Sequence, residues 1–538
     1  MSPDTLILNA HCVTMNPALP LTDAVLIRDG RIAALGGAAK TATSARVIDA
    51  DGKLVLPGFQ DAHIHLLNGG TRLIETAQLY DATTLTELQS ALAAHADRWQ
   101  GPMVRGAGWH PGLFGDHNLT RDVIDAVVQD RPCLIHDNSF HSACLNSRAC
   151  EMVGITDTTP NPPNGHIVRD TKGRATGMLH EAATTWATRA MPQTADQTLT
   201  QGLHAGQSHA NGHGITGIID PNIQSHHVRT YAAAAAAGTL TLRVAGACLV
   251  RATDTAETAV ARLTALRAAH TTADFHLNAA KFFMDGGLEN RTAAMLAPYA
   301  DAAAGNAPLM FTPDQIAALF TALDAARFQI HVHCIGDHAT RATLDGFQAA
   351  RHANGPWPSL HQIAHVEVVD PADMPRFAAL GVMANMQPLW AANDPVIPEP
   401  TWDMIGPARL PNTYPFRSLI DAGAPFCLSS DWAVTTLNPF EIIGTAVTRE
   451  PPRSRGRTAP FHPEQRLTVA EAVQGYTNHA AAACWRDHYT GQITPGFSGD
   501  LIILDRDILT CDPYAIAETQ VLLTLFKGRE VHRHPSFG

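Results

Sequence analysis

Leu56-Pro57-Gly58-Phe59-Gln60-Asp61-Ala62-His63-Ile64-His65 is an apolar strand candidate that ends in two histidines. Side chains two positions apart on an extended strand point to the same side, so His63 and His65 can present their imidazoles to one metal ion. A His-x-His pair is weak evidence by itself, because two histidines on a strand are often surface or core residues. Its meaning depends on what the rest of the chain places around it.

Seven more apolar strand candidates follow, and helical patterns lie between many of them. The pattern at 312–326, for example, opens with Thr312-Pro313-Asp314, an N-cap followed by proline in the first turn. Strand–helix alternation repeated eight times predicts an α/β fold, a parallel (β/α)8 TIM barrel, and periodicity leaves an open doubly wound sheet as the alternative. The strand candidates are residues 53–60, 215–220, 240–248, 276–285, 328–335, 361–369, 381–388 and 425–431.

Both ends of the chain carry short strand patterns separated by turn residues. We therefore expect 1–56 and 485–538 to build one β-sandwich beside a barrel domain at 57–484. About 150 residues separate the first two barrel strands, which is more than a simple crossover requires. We predict that residues 67–210 form an inserted subdomain that covers the barrel mouth.

Composition excludes several classes of partner. The net charge of −12 argues against nucleic acid, because phosphate binding needs a basic surface. No apolar run is long enough to cross a bilayer, and the N-terminus lacks the pattern of a secretory signal, so a cytoplasmic location is the default expectation. The nine scattered cysteines contain no CxxC pair and are expected to be reduced core residues. A small-molecule substrate is the expected partner, and homo-oligomerisation is left open.

Ionisable residues mark several later strand candidates, and a parallel barrel carries its chemistry at the C-terminal ends of its strands. Lys281 lies inside an apolar strand, where an unpaired ammonium is costly. It is a salt-bridged lysine, a lysine whose ammonium reaches out to water, or a lysine carboxylated by CO2, which would turn the cation into an anion that bridges two metals. His333, His365 and Asp431 belong to the fifth, sixth and eighth candidates. Each could be a core residue, but their succession on strands is hard to reach by chance.

These motifs resemble the amidohydrolase superfamily, most of all its YtcJ-like branch, which includes N-substituted formamide deformylase-type proteins. The resemblance covers nearly the whole chain and implies a (β/α)8 barrel, a sandwich built from both termini and a divalent-metal site. The matching stretches are PGFQDAHIHL at 57–66, GHIVRDTKGRATGMLHE at 165–181, AKFFMDGG at 280–287, HCIGD at 333–337, HQIAH at 361–365, SSDWAV at 429–434, HPEQRLTVAEAV at 462–473 and TPGFSGDLIILD at 494–505.

The resemblance also implies the roles of individual residues. Two Zn²⁺ ions are expected, with Mn²⁺, Fe²⁺ and Co²⁺ as alternatives. Lys281 matches the bridging ligand, in N6-carboxylated form, and Asp431 matches a ligand that is also the catalytic base. The other ligands are His63 and His65 for the first ion and His333 and His365 for the second.

The implied reaction is attack of a metal-activated hydroxide on a carbonyl carbon, with Asp431 moving the proton to the leaving nitrogen. Asp61 and Asp337 are predicted to orient imidazoles, while His331 and His361 are predicted to lie beside the ligands or to pack in the core. The expected enzyme is a hydrolase of non-peptide carbon–nitrogen (amide-type) bonds.

Three alternatives use the same scaffold: a lactonase, a cyclic amidase and a deaminase. Lys281 weighs against the deaminase, because deaminase relatives usually lack the bridging lysine. A metal-free, non-enzymatic relative is disfavoured because all six ligand-type residues are present. Residues 287–293 depart from the usual pattern of the branch, so the substrate stays open. The candidates for substrate contact, each with packing or a salt bridge as its alternative, are Trp109, His141, Asn146, Arg291 and Trp432.

Overall fold

Short buried strands alternate with helices through most of the chain, as the hydrophobic pattern predicts. The computed structural model describes residues 4–43, 45–109, 113, 119–137, 142–162, 165–288, 291–300, 305–393 and 400–538. The strands are β1 Thr5–Leu8, β2 His11–Val13, β3 Leu21–Thr22, β4 Val25–Arg28, β5 Arg31–Leu35, β6 Arg46–Asp49, β7 Leu54–Pro57, β8 Phe59–Asp61, β9 Thr76–Gln78, β10 Val104–Trp109, β11 Cys133–Asp137, β12 Ser142–Leu145, β13 Gly165–Arg169, β14 Ala175–Glu181, β15 Ile215–Ile223, β16 Arg243–Leu249, β17 Phe275–Phe283, β18 Gln329–Cys334, β19 Gln362–His365, β20 Met383–Met386, β21 Phe426–Leu428, β22 Leu501–Leu504, β23 Val521–Phe526 and β24 Arg529–Arg533.

Several helices begin after a residue whose side chain caps them. The helix predicted at 312–326 spans Pro313–Ala325, and the Thr312 hydroxyl accepts from the backbone of Gln315. The α-helices are α1 Gly36–Ala39, α2 Leu66–Glu75, α3 Leu85–Arg98, α4 Arg121–Asp125, α5 Ser147–Val153, α6 Ala182–Ala190, α7 Asp196–Gly212, α8 Ser225–Ala236, α9 Ala256–His270, α10 Pro313–Ala325, α11 Asp337–Asn354, α12 Met374–Leu380, α13 Pro400–Ile405, α14 Phe416–Asp421, α15 Pro439–Thr448, α16 Val469–Tyr476 and α17 Asn478–Ala483. Short 3-10 turns occupy Pro388–Trp390, Leu410–Asn412, Pro463–Gln465 and Pro513–Glu518.

Eight parallel strands form the predicted barrel, in the order β8, β15, β16, β17, β18, β19, β20 and β21. Backbone hydrogen bonds at and just beyond the ends of the first and last strands nearly close the sheet. They run from Ala62 to Leu428 (3.4 Å), from Asp431 to His63 (2.8 Å) and from His65 to Trp432 (2.6 Å). The predicted fold class is confirmed, and the C-terminal ends of all eight strands lie at one rim of the barrel.

The first barrel strand is shorter than predicted, because 53–60 is not one strand. β7 pairs with sandwich strands, whereas β8 pairs with the barrel strand β15. The break falls at Gly58, where a Cβ atom would lie 2.4 Å from the Thr216 hydroxyl oxygen. Glycine therefore permits the close approach at which the chain passes from one sheet to the other.

Two further sheets contain strands from both ends of the chain. One has the order β5-β4-β1-β6 and the other the order β24-β23-β22-β7-β2-β3. A shared apolar core holds N-terminal side chains such as Ile7 and Val25 together with C-terminal ones such as Ile503 and Leu525. The sandwich thus takes its strands from both termini, as the resemblance implies.

Residues Leu67–Gly206 form a compact unit separate from the unit made of Met1–Leu66 and Gln207–Gly538. Its six-stranded sheet has the order β13-β14-β12-β11-β10-β9 and its own apolar cores. All nine cysteines are free thiols. Within the described part of the chain, no helix is both long and apolar enough to span a bilayer.

Candidate metal centre

Three predicted ligands meet where the first and last barrel strands end. The Nε2 atoms of His65 and His63 lie 3.2 Å and 3.6 Å from the same carboxylate oxygen of Asp431. One ligand atom from each of the three residues lies within 4.8 Å of the others. Two imidazoles and a carboxylate at this spacing are a ligand set that a divalent transition metal accepts.

The backbone at two predicted ligands is held in the left-handed region. His365 has φ 84° and Asp431 has φ 52°. A non-glycine residue in this region costs on the order of 1–3 kcal/mol, and such residues cluster at functional sites. Asp431 also lies beyond β21, so the eighth strand ends three residues earlier than predicted and the carboxylate stands on a turn.

The remaining predicted ligands lie beside the first three. The His365 ring centre is 5.0 Å from that of His63 and 4.4 Å from that of His333. The Lys281 Nζ lies 4.6 Å from the centre of the Phe283 ring, and the side chain is fully buried. The Nε2 of His333 is 3.2 Å from the Gly286 carbonyl oxygen, which leaves its Nδ1 as the nitrogen for a metal.

Burial dominates the electrostatics of this cluster. It lowers the pKa of Lys281 to about 8, against the attraction of the Asp431 carboxylate. Burial, followed by the charge of Lys281, lowers the pKa of His333 to about 3 and that of His63 well below its usual range. The pKa of His365 falls for the same reason, with His333 as its next cause. These imidazoles are therefore neutral at pH 7, the state in which histidine binds metal.

Several buried polar atoms of the cluster have no hydrogen-bond partner. They include the Lys281 Nζ, the His365 Nδ1 and the Asp431 Oδ1. Burying such atoms unpaired costs free energy, so their concentration at one place indicates that the site is built around something else. Nitrogen and oxygen donors of this kind fit a divalent metal ion, and the residues present therefore fit the metal that the resemblance implies.

The predicted roles of Asp61 and Asp337 were wrong, because neither carboxylate holds an imidazole. One oxygen of Asp61 accepts hydrogen bonds from the backbone of His63 (3.1 Å) and Ser430 (3.2 Å). Asp61 thus ties the first strand to the loop that carries the catalytic candidate. Burial raises its pKa to about 7. Asp337 accepts from the backbone of Leu296 at 2.7 Å.

The two histidines set apart in the sequence have different roles. The His331 Nε2 lies 2.9 Å from the His63 Nδ1, so His331 fixes the ring whose other nitrogen faces Asp431. The His361 Nδ1 accepts from the backbone of Ile330 at 3.0 Å, and its Nε2 lies 2.9 Å from an oxygen of Asp324. His361 is therefore a satisfied core residue.

Three predicted substrate residues have other surroundings or lie outside the described residues. Trp109 is 1% exposed and packs in an apolar core of the unit Leu67–Gly206. The Trp432 ring is buried, with its centre 5.4 Å from that of His209. His141 lies outside the residues that the structure describes. We therefore leave Trp109 and Trp432 out of the proposed substrate site.

Arg291 keeps its place among the candidates. It is half-buried in a turn, where its backbone donates to the Leu288 carbonyl, and its φ is 53°. It lies in a turn and not at the start of a helix.

Asn146 is a structural residue and not a substrate contact. Its Oδ1 accepts from the backbone of Cys133 and Ala149, and its Nδ2 donates to the carbonyls of Val128 and Arg131. These four bonds use both donors and both acceptor positions of the amide. The side chain is fully buried and caps α5.

We expect Asn146→Ala to weaken folding without changing substrate binding. It removes a helix cap and leaves buried backbone groups unpaired, at a cost of about 1–3 kcal/mol. Thermal unfolding should shift to lower temperature, while KM stays unchanged below the transition. A raised KM in folded protein would return Asn146 to the substrate site.

Sequence reasoning missed two residues that surround the ligands. The Asp285 carboxylate accepts from the backbone of Ile335, Gly336 and Ala294, and so it fixes the turn that follows His333. The Trp390 ring stacks on His365 at 5.5 Å between ring centres and 15° between planes. Asp285 lay within a matched stretch of sequence, whereas Trp390 follows a strand that carries no ligand and gave no signal.

Comparison with known proteins gives a family match over most of the chain. A family model described as "Amidohydrolase family" matches residues 46–532. The N-substituted formamide deformylase of Arthrobacter pascens is 28% identical, over 98% of this chain and 97% of that protein. The protein YtcJ of Bacillus subtilis is 26% identical, over 95% and 96%. A solved metal-dependent hydrolase of Pyrococcus horikoshii has a TM-score of 0.79 at 23% identity, over 95% of this chain and 99% of that one, and shows the same fold.

Proposed function

Because this chain belongs to the amidohydrolase family, we propose that it is a metal-dependent hydrolase that cleaves a non-peptide carbon–nitrogen bond of an amide. The observation that carries the proposal is the convergence of His63, His65 and Asp431 at the rim of the barrel, with the relevant carboxylate oxygen free of hydrogen bonds. The deformylase relative, which matches nearly end to end, supports an amide as the substrate.

The proposed ligands divide into two groups. His63, His65 and Asp431 would hold one divalent ion, and His333 and His365 a second, with Lys281 between the two ions in carboxylated form. Zn²⁺ suits these nitrogen and oxygen donors. When bound, a divalent ion supplies Lewis-acid chemistry: it makes water more acidic and a carbonyl carbon more electrophilic.

A residue of the chain itself would then transfer a proton. Asp431 accepts it on a carboxylate oxygen as water adds to the carbonyl carbon, and returns it to the nitrogen as the carbon–nitrogen bond breaks. The balanced reaction converts one amide and one water into one carboxylic acid and one amine. His331 holds the His63 ring in place, because its Nε2 forms a hydrogen bond with the His63 Nδ1.

A substrate panel tests the proposal. Purified protein loaded with Zn²⁺ is offered N-substituted formamides, N-acyl amines, cyclic amides, lactones and aryl amines. We expect turnover of linear amides, loss of activity after treatment with a chelator, and recovery when Zn²⁺ or Mn²⁺ is returned. Turnover of lactones or aryl amines alone would replace the amide assignment. Full activity in chelated protein whose metal content is confirmed to be zero would overturn metal dependence.

A further inference from the structure

The seventh barrel strand carries no predicted metal ligand, yet its C-terminal end lies between two of them. Gln387 follows β20 directly and is 1% exposed. Its side chain bonds Ser429, two residues before Asp431, at 2.6 Å. Three residues after Gln387, Trp390 stacks on His365. Contacts on both sides therefore tie the segment 387–390 to the candidate metal centre.

Backbone carbonyls fix the orientation of the amides that lead to Gln387. The carbonyl of Ala483 can only accept, so Gln362 must present its Nε2 there, at 3.2 Å. The Oε1 of Gln362 then faces Asn385, whose Nδ2 donates to it (2.8 Å) and to the Ala62 carbonyl (2.9 Å). The Oδ1 of Asn385 is left to accept from the Gln387 Nε2 at 3.0 Å.

The hydrogen bonds that link Gln362, Asn385 and Gln387 leave one acceptor without a partner. Both donor positions of the Gln387 Nε2 are used, by Asn385 and Ser429, and its Oε1 is buried without a hydrogen-bond partner. Rotating the amide would set two oxygens, those of Gln387 and Asn385, against each other, so these hydrogen bonds fix the orientation of the amide and leave its Oε1 as the unpaired atom. A buried acceptor held unpaired is costly unless a donor arrives.

We infer that Gln387 is a specificity residue whose Oε1 accepts a hydrogen bond from the substrate N–H beside the scissile carbonyl. The inference rests on the proposed function and narrows its substrate class to secondary amides. An ester or a lactone has no hydrogen at that position and would leave the acceptor unpaired. A site that binds a hydrogen-bond donor of the substrate rejects analogues without that donor, because the acceptor of the site is then buried without a hydrogen bond.

The test compares N-phenethylformamide with phenethyl formate, which differ in the N–H group. Gln387→Met keeps the volume but removes the Oε1 acceptor together with the Nε2 donor that bonds Asn385 and Ser429. Any effect of the lost donor falls on both substrates, so the measured quantity is the ratio of the two kcat/KM values. We expect kcat/KM for the amide to fall about 10- to 100-fold more than kcat/KM for the ester. For wild-type protein, the N-methyl derivative of the amide should be hydrolysed less well by a similar factor, and this measurement does not depend on how the variant folds.

Gln60→Met is the matched control. Gln60 is also buried in the barrel with an unpartnered Oε1, but its Nε2 bonds Thr490 and its strand begins the barrel. We expect this variant to leave the amide-to-ester ratio unchanged. Equal losses on both substrates in Gln387→Met, or equal hydrolysis of the amide and its N-methyl derivative, would overturn the inference and leave the proposed function standing. Failure of wild-type protein to hydrolyse any amide would overturn both.

Discussion

Asp431→Asn is expected to lower kcat by about 10²- to 10⁴-fold, the usual contribution of a positioned general acid–base group. Asparagine keeps the size and one oxygen of the side chain but cannot accept and return a proton. The turn that carries it should survive, because the backbone of residue 431 donates to the His63 carbonyl whichever side chain is present. We therefore expect a folded protein that retains most of its metal, measured by elemental analysis alongside single-turnover kinetics.

Asp337→Asn is the natural comparison. Asp337 is a similarly buried aspartate at the start of α11, but its carboxylate accepts from the backbone of Leu296, a role that an asparagine oxygen can fill. Its kcat should stay close to that of wild-type protein. If Asp431→Asn is as active as Asp337→Asn, Asp431 takes no part in the proton transfer. If Asp431→Asn loses metal but the molecules that still hold metal react at the wild-type rate, Asp431 is a metal ligand only.

Much of this architecture could be predicted because it depends on local patterning. Buried parallel strands appear in the sequence as apolar runs, and Thr312-Pro313 predicts the start of a helix. The six ligand candidates could be placed because each belongs to a motif on a strand or just beyond its end, and barrel topology brings strand ends together. The sequence does not predict the point at which the chain passes from one sheet to another, as it does at Gly58. That point depends on a close contact with Thr216, which is more than 150 positions away.

The errors at the site have a common physical origin. Asp61 and Asp337 were expected to orient imidazoles, because carboxylates near metal-binding histidines often do so. In the structure both carboxylates accept hydrogen bonds from backbone N–H groups instead, and His331 orients the His63 ring. Residue type and spacing do not say whether a buried carboxylate meets a side chain or a backbone group. Gln387 presents the same difficulty, since its significance lies in the acceptor that stays unpaired after the side-chain amides of Gln362 and Asn385 have formed their hydrogen bonds.

Lys281→Met is expected to abolish metal binding and activity while making the metal-free protein more stable at pH 7. A fully buried ammonium whose pKa falls from 10.5 to about 8 is disfavoured in the folded state by about 3 kcal/mol, and methionine fills similar space without a charge. Chemical denaturation at pH 7 should therefore show a higher free energy of unfolding for the metal-free variant than for the metal-free wild type.

The sign of the pH dependence separates this effect from simple packing. Between pH 8 and 10.5 the unfolded lysine keeps its proton while the folded one has lost it, so the stability of metal-free wild-type protein should rise with pH across this range. Lys281→Met should lack that rise. Only the neutral amine reacts with CO2, so native mass spectrometry should find one added CO2 in metal-loaded wild type and none in the variant. A variant that is less stable at pH 7 and still binds two ions would show that Lys281 is neither strained nor a ligand.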